Sequence, residues 1–181
     1  VMMSVSKLLS RIVGADEIMN ENENAADSDD FGWNIHDHTY GITSDPLTQF
    51  ACAFSALLHD VDHQGIPNPQ LCKEKPALAT MYNQRSVAEQ NSLDLSWDLL
   101  MQDEFAHFRS ALCATKHDLQ HFRNLVVTSV MATDIMDKEL KELRNSRWQR
   151  ALDTNDNTCN SVEAVNRKAA IVIEHLIQAS D

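Results

Sequence analysis

Apolar residues recur along much of this chain at steps of three and four, the period of a helix buried along one face. Met2, Val5, Leu8, Leu9, Ile12 and Val13 open with that spacing. It resumes in PLTQFACAFSALLHD, from Pro46, where Phe50, Phe54, Leu57 and Leu58 form a bulky stripe. Ala51, Ser55 and His59 form a second row of small side chains that ends in an imidazole. Such a row lets a neighbouring helix come close. Asp45-Pro46 marks the start, a capping side chain before a proline at the first turn. Leu93, Trp97 and Leu100 carry the face of another helix, and Ser86 with Glu89 predicts a capping box at its start. One long helix is expected from about Asp118 to Leu143, with Phe122, Val126, Ser129, Thr133, Met136, Leu140 and Leu143 on its buried stripe. The last helix is expected from about Val162 to the chain's end. There Ile173, Ile177 and Asp181 share a face, so the final carboxylate lines up with buried side chains.

Polar segments punctuate these helices. NENENAADSDD, residues 20–30, predicts an acidic solvated loop, and DTNDNTCNS, residues 153–161, a second polar loop. DVDHQGIPNPQ holds Gly65, Pro67 and Pro69 and is expected to be a loop throughout. The stretch from Trp33 to Tyr40 reads as irregular. With only 4 Gly and 4 Pro, and no confident strand or internal repeat, the chain is expected to be all-α, a compact multi-helix bundle. Its 181 residues suffice for one domain with a sizeable core.

Charge narrows the partners. Acidic residues number 27 against 15 basic ones, a formal charge of −12. That excludes a nucleic-acid polymer, whose phosphates demand clustered Lys and Arg. An anionic substrate is compatible only if cations occupy an acidic cluster and invert its field. Cys52, Cys72, Cys113 and Cys159 lack paired spacing and are read as reduced thiols of a cytoplasmic protein. No apolar run is long enough to span a membrane, and no signal peptide is visible. Val1 falls inside an apolar helical pattern, so residues 1–181 are read as part of a longer domain. Regulatory domains or a membrane attachment elsewhere in the parent protein are compatible with this reading.

The candidate chemistry sits in LLHDVDHQG, Leu57 to Gly65, with two imidazoles and two carboxylates between His59 and His63. Imidazole and carboxylate suit a borderline divalent ion such as zinc; carboxylate and water suit a harder one such as magnesium. Placed where a helix gives way to a loop, neighbouring side chains can converge on one point. Asp62 is either structural or the group that fixes an imidazole. His36, His38, His107, His117, His121 and His175 show no ligand spacing and are read as surface or packing residues.

ALLHDVDHQGIPNPQL resembles the second signature of the class I cyclic-nucleotide phosphodiesterases, an all-helical family of the HD phosphohydrolase group. YNQRSVAEQN, MATDIMDK and RKAAIVIEHLIQASD resemble, in family order, its following elements up to the last metal aspartate. The resemblance implies that His59 and Asp60 bind a zinc-like ion, that Asp60 bridges to a magnesium- or manganese-like ion, and that Asp181 completes the set. It implies that His63 and Glu89 orient ligands and metal-bound water, and that Thr133 meets the water shell of the second ion. The implied reaction is hydrolysis of cAMP, cGMP or both to the 5′-monophosphate in cyclic-nucleotide signalling, by attack of a metal-bridging hydroxide on phosphorus. Two parts of the family pattern are missing. The histidine signature H-N-x-x-H-A-x-x-V, which includes the general acid, would lie upstream of Val1, and the purine pocket after Asp181. The segment alone is therefore expected to be inactive. Asp137-Lys138 also stands where the family has a histidine near. Alternatives are another HD-type phosphohydrolase and a non-catalytic helical module that binds a partner or nucleotide.

Overall fold

The structure is a computed structural model that describes residues 1–13, 42, 45–152 and 162–181. The acidic segment 20–30, the stretch from Trp33 to Tyr40 with His36 and His38, and the polar segment 153–161 with Cys159 lie outside the described residues. The described residues form α1 (Met2–Val13), α2 (Pro46–Leu58), α3 (Asn68–Glu74), α4 (Pro76–Met81), α5 (Val87–Leu100), α6 (Ala106–Leu112), α7 (Lys116–Met131), α8 (Lys138–Leu152) and α9 (Val162–Gln178). A 3₁₀ turn, Asp103–Phe105, precedes α6, and no strand occurs among the described residues. The fold is all-α, as the periodicity predicts.

Helix α2 is the centre of the bundle. It packs most extensively on α7, and also on α1, α9 and α5. The helix begins at Asp45, whose carboxylate accepts the Leu47 N–H at 3.0 Å, as the Asp-Pro pair predicts. Its small residues Ala51, Cys52, Ser55 and Ala56 are all buried. Cys52 and Ala56 meet Val5 of α1 and Ile173 and Ile177 of α9. Ala51 and Leu58 meet Phe122, Val126 and Val130 of α7, along with Leu100 of α5. The Ser55 hydroxyl is satisfied within the helix, donating to the Ala51 carbonyl at 2.7 Å. Phe50, Phe54 and Trp97 surround Phe122 with ring centroids 5.9, 5.5 and 6.4 Å away. A separate cluster of Leu71, Ala79, Tyr82, Val87 and Ala88 joins α3 and α4 to the start of α5.

Four expectations need correction. Leu57 is 63% exposed, so the bulky face of α2 is Phe50, Phe54 and Leu58. The helix expected over residues 118–143 is two helices, broken at residues 132–137. There the Asp134 carboxylate accepts the N–H groups of Met136 and Asp137 at 3.1 and 3.2 Å, offering the backbone an alternative to the helical ladder. Met136 and Leu143 are consequently exposed, not part of one buried stripe. Ser86 makes no capping hydrogen bond: its φ of 39° is left-handed, and its hydroxyl donates to Asp134 at 2.7 Å. A capping box does exist at the start of α7, where Thr115 and Asp118 exchange side-chain and backbone bonds. Those bonds hold the Asp118 carboxyl below its usual pKa. Finally, the loop after the motif ends at Pro67, and Asn68, Pro69 and Gln70 already belong to α3.

Helices α8 and α9 are joined by Arg147 and the buried Glu174. The Arg147 Nη2 lies 2.9 Å from Oε1 and donates to Oε2 at 3.0 Å. Burial raises the Glu174 pKa, and Arg147 and Arg144 oppose that rise. His175 packs edge-on to Trp148, centroids 4.9 Å apart. Among the described residues, no helix is long and apolar enough to cross a membrane.

Two stability measurements test this packing. Phe122→Ala should destabilise the protein by about 3–5 kcal/mol in chemical denaturation; a loss below about 1 kcal/mol would place the ring outside a tight core. Arg147→Ala should be pH-dependent. A carboxyl whose folded pKa is raised favours folding most when neutral, below the ordinary glutamate range. That contribution is lost as pH rises through the folded value. Removing Arg147 raises the folded value further. The variant's deficit should therefore be small in acid and grow toward neutral pH, to about 2–3 kcal/mol, less than for a fully buried pair because Arg147 meets water. A deficit independent of pH would count against the pair.

Candidate metal centre

His59 stands at the C-terminal cap of α2, its N–H donating to the Ser55 carbonyl at 2.9 Å. Beyond it the chain leaves the helix through two tight turns, Val61 N–H to Leu58 and His63 N–H to Asp60, each 3.0 Å. Asp62 and Gly65 hold the turns with φ of 58° and 71°. The left-handed region accepts glycine freely and short polar residues such as Asp at modest cost. The loop is fastened to α5: the Ser92 hydroxyl donates to the Val61 carbonyl at 2.7 Å, and the Asn91 amide to the Asp62 carboxylate at 3.3 Å. Asp62 thus serves the loop's shape, also accepting from the Gln64 amide.

Three of the predicted residues meet. The His59 Nδ1 lies 3.1 Å from the Ala56 carbonyl, which can only accept, so Nδ1 carries the proton. In the neutral ring this leaves Nε2 as a bare electron-pair donor. Nε2 is 3.2 Å from Asp60 Oδ2 and 3.2 Å from Asp181 Oδ1. One donor atom from each of the three lies within 4.8 Å of the others. Asp181 reaches this point just beyond α9, its N–H bonded to the Ile177 carbonyl at 3.0 Å. The buried Ile173 and Ile177 seat that helix against α2, and the Gln178 amide donates to the Ala132 carbonyl at 2.6 Å. The carboxylate remains 39% exposed, open to solvent on one side.

The donor set fits a divalent cation. Two carboxylates and an imidazole nitrogen converge on one point, and a cation there would meet all three. Nitrogen and carboxylate oxygen together match the ligand preferences of zinc and similar ions.

The other predicted residues stand apart from that trio. The exposed His63 accepts the Gly65 N–H on Nδ1 at 3.0 Å. Glu89, in the first turn of α5, accepts from the Asn68 amide at 2.9 Å. Burial raises the Glu89 pKa; the Asn68 bond lowers it, the Asp134 charge raises it and His63 lowers it. The Thr133 hydroxyl donates to the Val130 carbonyl at 2.7 Å, which commits its proton and leaves its oxygen free to accept.

Sequence reasoning missed two participants. Asp134 is buried at 5% exposure and accepts from Ser86, from the Asn68 amide at 3.2 Å, and from two backbone N–H groups. A Thr-Asp pair interrupting a long apolar stripe was the available signal, since Asp favours turns that close on its own side chain. Asn68 joins Glu89, 21 residues away, to Asp134, 66 residues away, and no spacing announces such a contact.

Fold and site together define an all-helical domain with a candidate divalent-metal centre built on a His-Asp pair at a helix end. The chain belongs to the 3′,5′-cyclic nucleotide phosphodiesterase family, whose profile matches residues 35–181. It is 39% identical over 89 residues to the dual specificity calcium/calmodulin-dependent 3′,5′-cyclic nucleotide phosphodiesterase 1C of Mus musculus, a match covering 49% of this chain and 12% of the relative. It is 30% identical over 142 residues to the cGMP-inhibited 3′,5′-cyclic phosphodiesterase 3A of Homo sapiens, covering 68% of this chain and 12% of the relative. It is 42% identical over 89 residues to the probable 3′,5′-cyclic-AMP phosphodiesterase pde-4 of Caenorhabditis elegans, covering 49% and 13%. These matches span only 12–13% of each relative's length. Family membership implies dependence on divalent metal, in keeping with the donor set.

Ser86→Ala isolates the buried hydroxyl–carboxylate bond beneath this site, because Ala and Ser bear similar strain at the same left-handed φ. The variant should lose about 1.5–3 kcal/mol in urea denaturation. A loss within about 0.5 kcal/mol would mean that Asp134 does not depend on Ser86.

Proposed function

We propose that the protein hydrolyses 3′,5′-cyclic nucleotides to 5′-monophosphates, with His59, Asp60 and Asp181 as ligands of a two-ion centre of Zn²⁺ with Mg²⁺ or Mn²⁺. The observation that carries this reading is the meeting of those three side chains, two from one helix end and one from 122 residues away. In the reaction a water oxygen bonds to phosphorus, the P–O3′ bond breaks and O3′ takes a proton. Divalent ions, when bound, supply the Lewis acidity that lowers the pKa of water and offsets the phosphate charge.

The residues divide the remaining work. His59 offers Nε2 because the Ala56 carbonyl holds the ring by Nδ1. Such a backbone contact fixes both tautomer and ring plane of a ligating imidazole. Asp60 would hold metal through its carboxylate, and Asp181 would complete the donor set from just beyond α9. Glu89 and His63 would orient metal-bound water beside the loop. The Thr133 hydroxyl donates to Val130, so its lone pairs would be the ones to accept from the water shell of the second ion. The free thiols of Cys52, Cys72 and Cys113 support a cytoplasmic, reducing location.

The test is Asp60→Ala in the full protein, assayed on cAMP, cGMP and a linear phosphodiester, with bound metal measured in parallel. Metal-dependent hydrolysis of a cyclic substrate should fall by several orders of magnitude, with metal content reduced and the helical circular-dichroism spectrum kept. Wild-type preference for the linear ester would favour a different HD-type phosphohydrolase. Loss of folding with metal retained would mean that Asp60 is structural.

A further inference from the structure

Asn68, the first residue of α3, makes three hydrogen bonds to three different parts of the site's framework. Its Oδ1 accepts the Ala88 N–H at 2.9 Å. That bond sets the orientation of the amide, since a backbone N–H needs an acceptor. The NH₂ end is thereby turned to two carboxylates, Glu89 at 2.9 Å and Asp134 at 3.2 Å. One amide, with two hydrogens, serves two like charges that would otherwise repel.

The two carboxylates depend on it unequally. Asp134 keeps the Ser86 hydroxyl and two backbone N–H groups if the amide is removed. Glu89 has no other side-chain donor among the described residues and would keep the backbone N–H of its own residue. Loss of the amide would therefore act first on Glu89, the carboxylate that borders the metal-binding loop. We propose that Asn68 is a positioning residue: it fixes the Glu89 carboxylate, and through Glu89 alone it sets the affinity of the second divalent ion. This inference rests on the metal-centre reading above. A half-buried carboxylate without its partner would swing or take a proton, and in either case would hold ordered water less well.

A double-mutant cycle tests it without substrate. Mn²⁺ binding to the metal-stripped full protein is measured by calorimetry for wild type, Asn68→Ala, Glu89→Ala and the double variant. Asn68→Ala alone should weaken the second ion about 10–100-fold. In the Glu89→Ala background the same change should stay within about twofold, because its route of action is gone. Hydrolysis by Asn68→Ala should recover at high Mn²⁺, which a general loss of fold would not do. If Asn68→Ala fails to fold, Asn68→Ser, which keeps a polar side chain at the start of α3, completes the cycle. Equal losses in both backgrounds, or no loss in either, would overturn the proposal. A wild type that binds Mn²⁺ but leaves cyclic nucleotides intact would sink the proposed function while the cycle still reads the role of Asn68. A wild type that binds no Mn²⁺ would overturn both.

Discussion

Three electron-pair donors face one another where α2 and α9 end, and much of this domain serves to keep them there. Asp60 and Asp181 carry like charges whose repulsion favours their parting, with the His59 Nε2 3.2 Å from each. The buried faces of the two helices resist that separation. Cys52 and Ala56 on one side and Ile173 and Ile177 on the other supply the apolar contact. The geometry of the candidate site is thus held against carboxylate repulsion by hydrophobic packing, an arrangement that a bound cation would relieve.

The same division recurs around the loop. Apolar clusters set where the helices lie, and a few polar bonds decide where the loop points. Ser92 and Asn91 hold the loop from α5, while Asn68 and Ser86 hold the turn between α7 and α8 through Asp134. Such buried polar bonds contribute little net stability when formed and are expensive to leave unmade. Their value lies in selecting one arrangement of the loop among several that the apolar core would tolerate.

How much of this was legible in the sequence follows from the range of each interaction. Helix α2 was readable from its Asp-Pro start and its periodicity, and the His59–Asp60 pair from its place at the helix end. Asp181 could be put on a buried face because Ile173 and Ile177 precede it at helical spacing. The break at residues 132–137 was not read, since the apolar period runs through it and one Asp decides the outcome. Ser86 carried a capping pattern yet donates its hydroxyl to Asp134, 48 residues away. Periodicity reports what is local; a side chain's choice among distant partners leaves no spacing behind.

The Gln178 amide grips the Ala132 carbonyl three residues before Asp181 and one residue before Thr133. This clasp registers the end of α9 against the end of α7. Beyond α9 the chain keeps helix-like bonds, Ala179 N–H to His175 and Asp181 N–H to Ile177, and at that spacing each added residue turns the chain about 100°. One insertion between this clasp and the terminal carboxylate would swing that oxygen to another side of the helix, however conservative the inserted side chain. Over these few positions, length is under tighter constraint than residue identity.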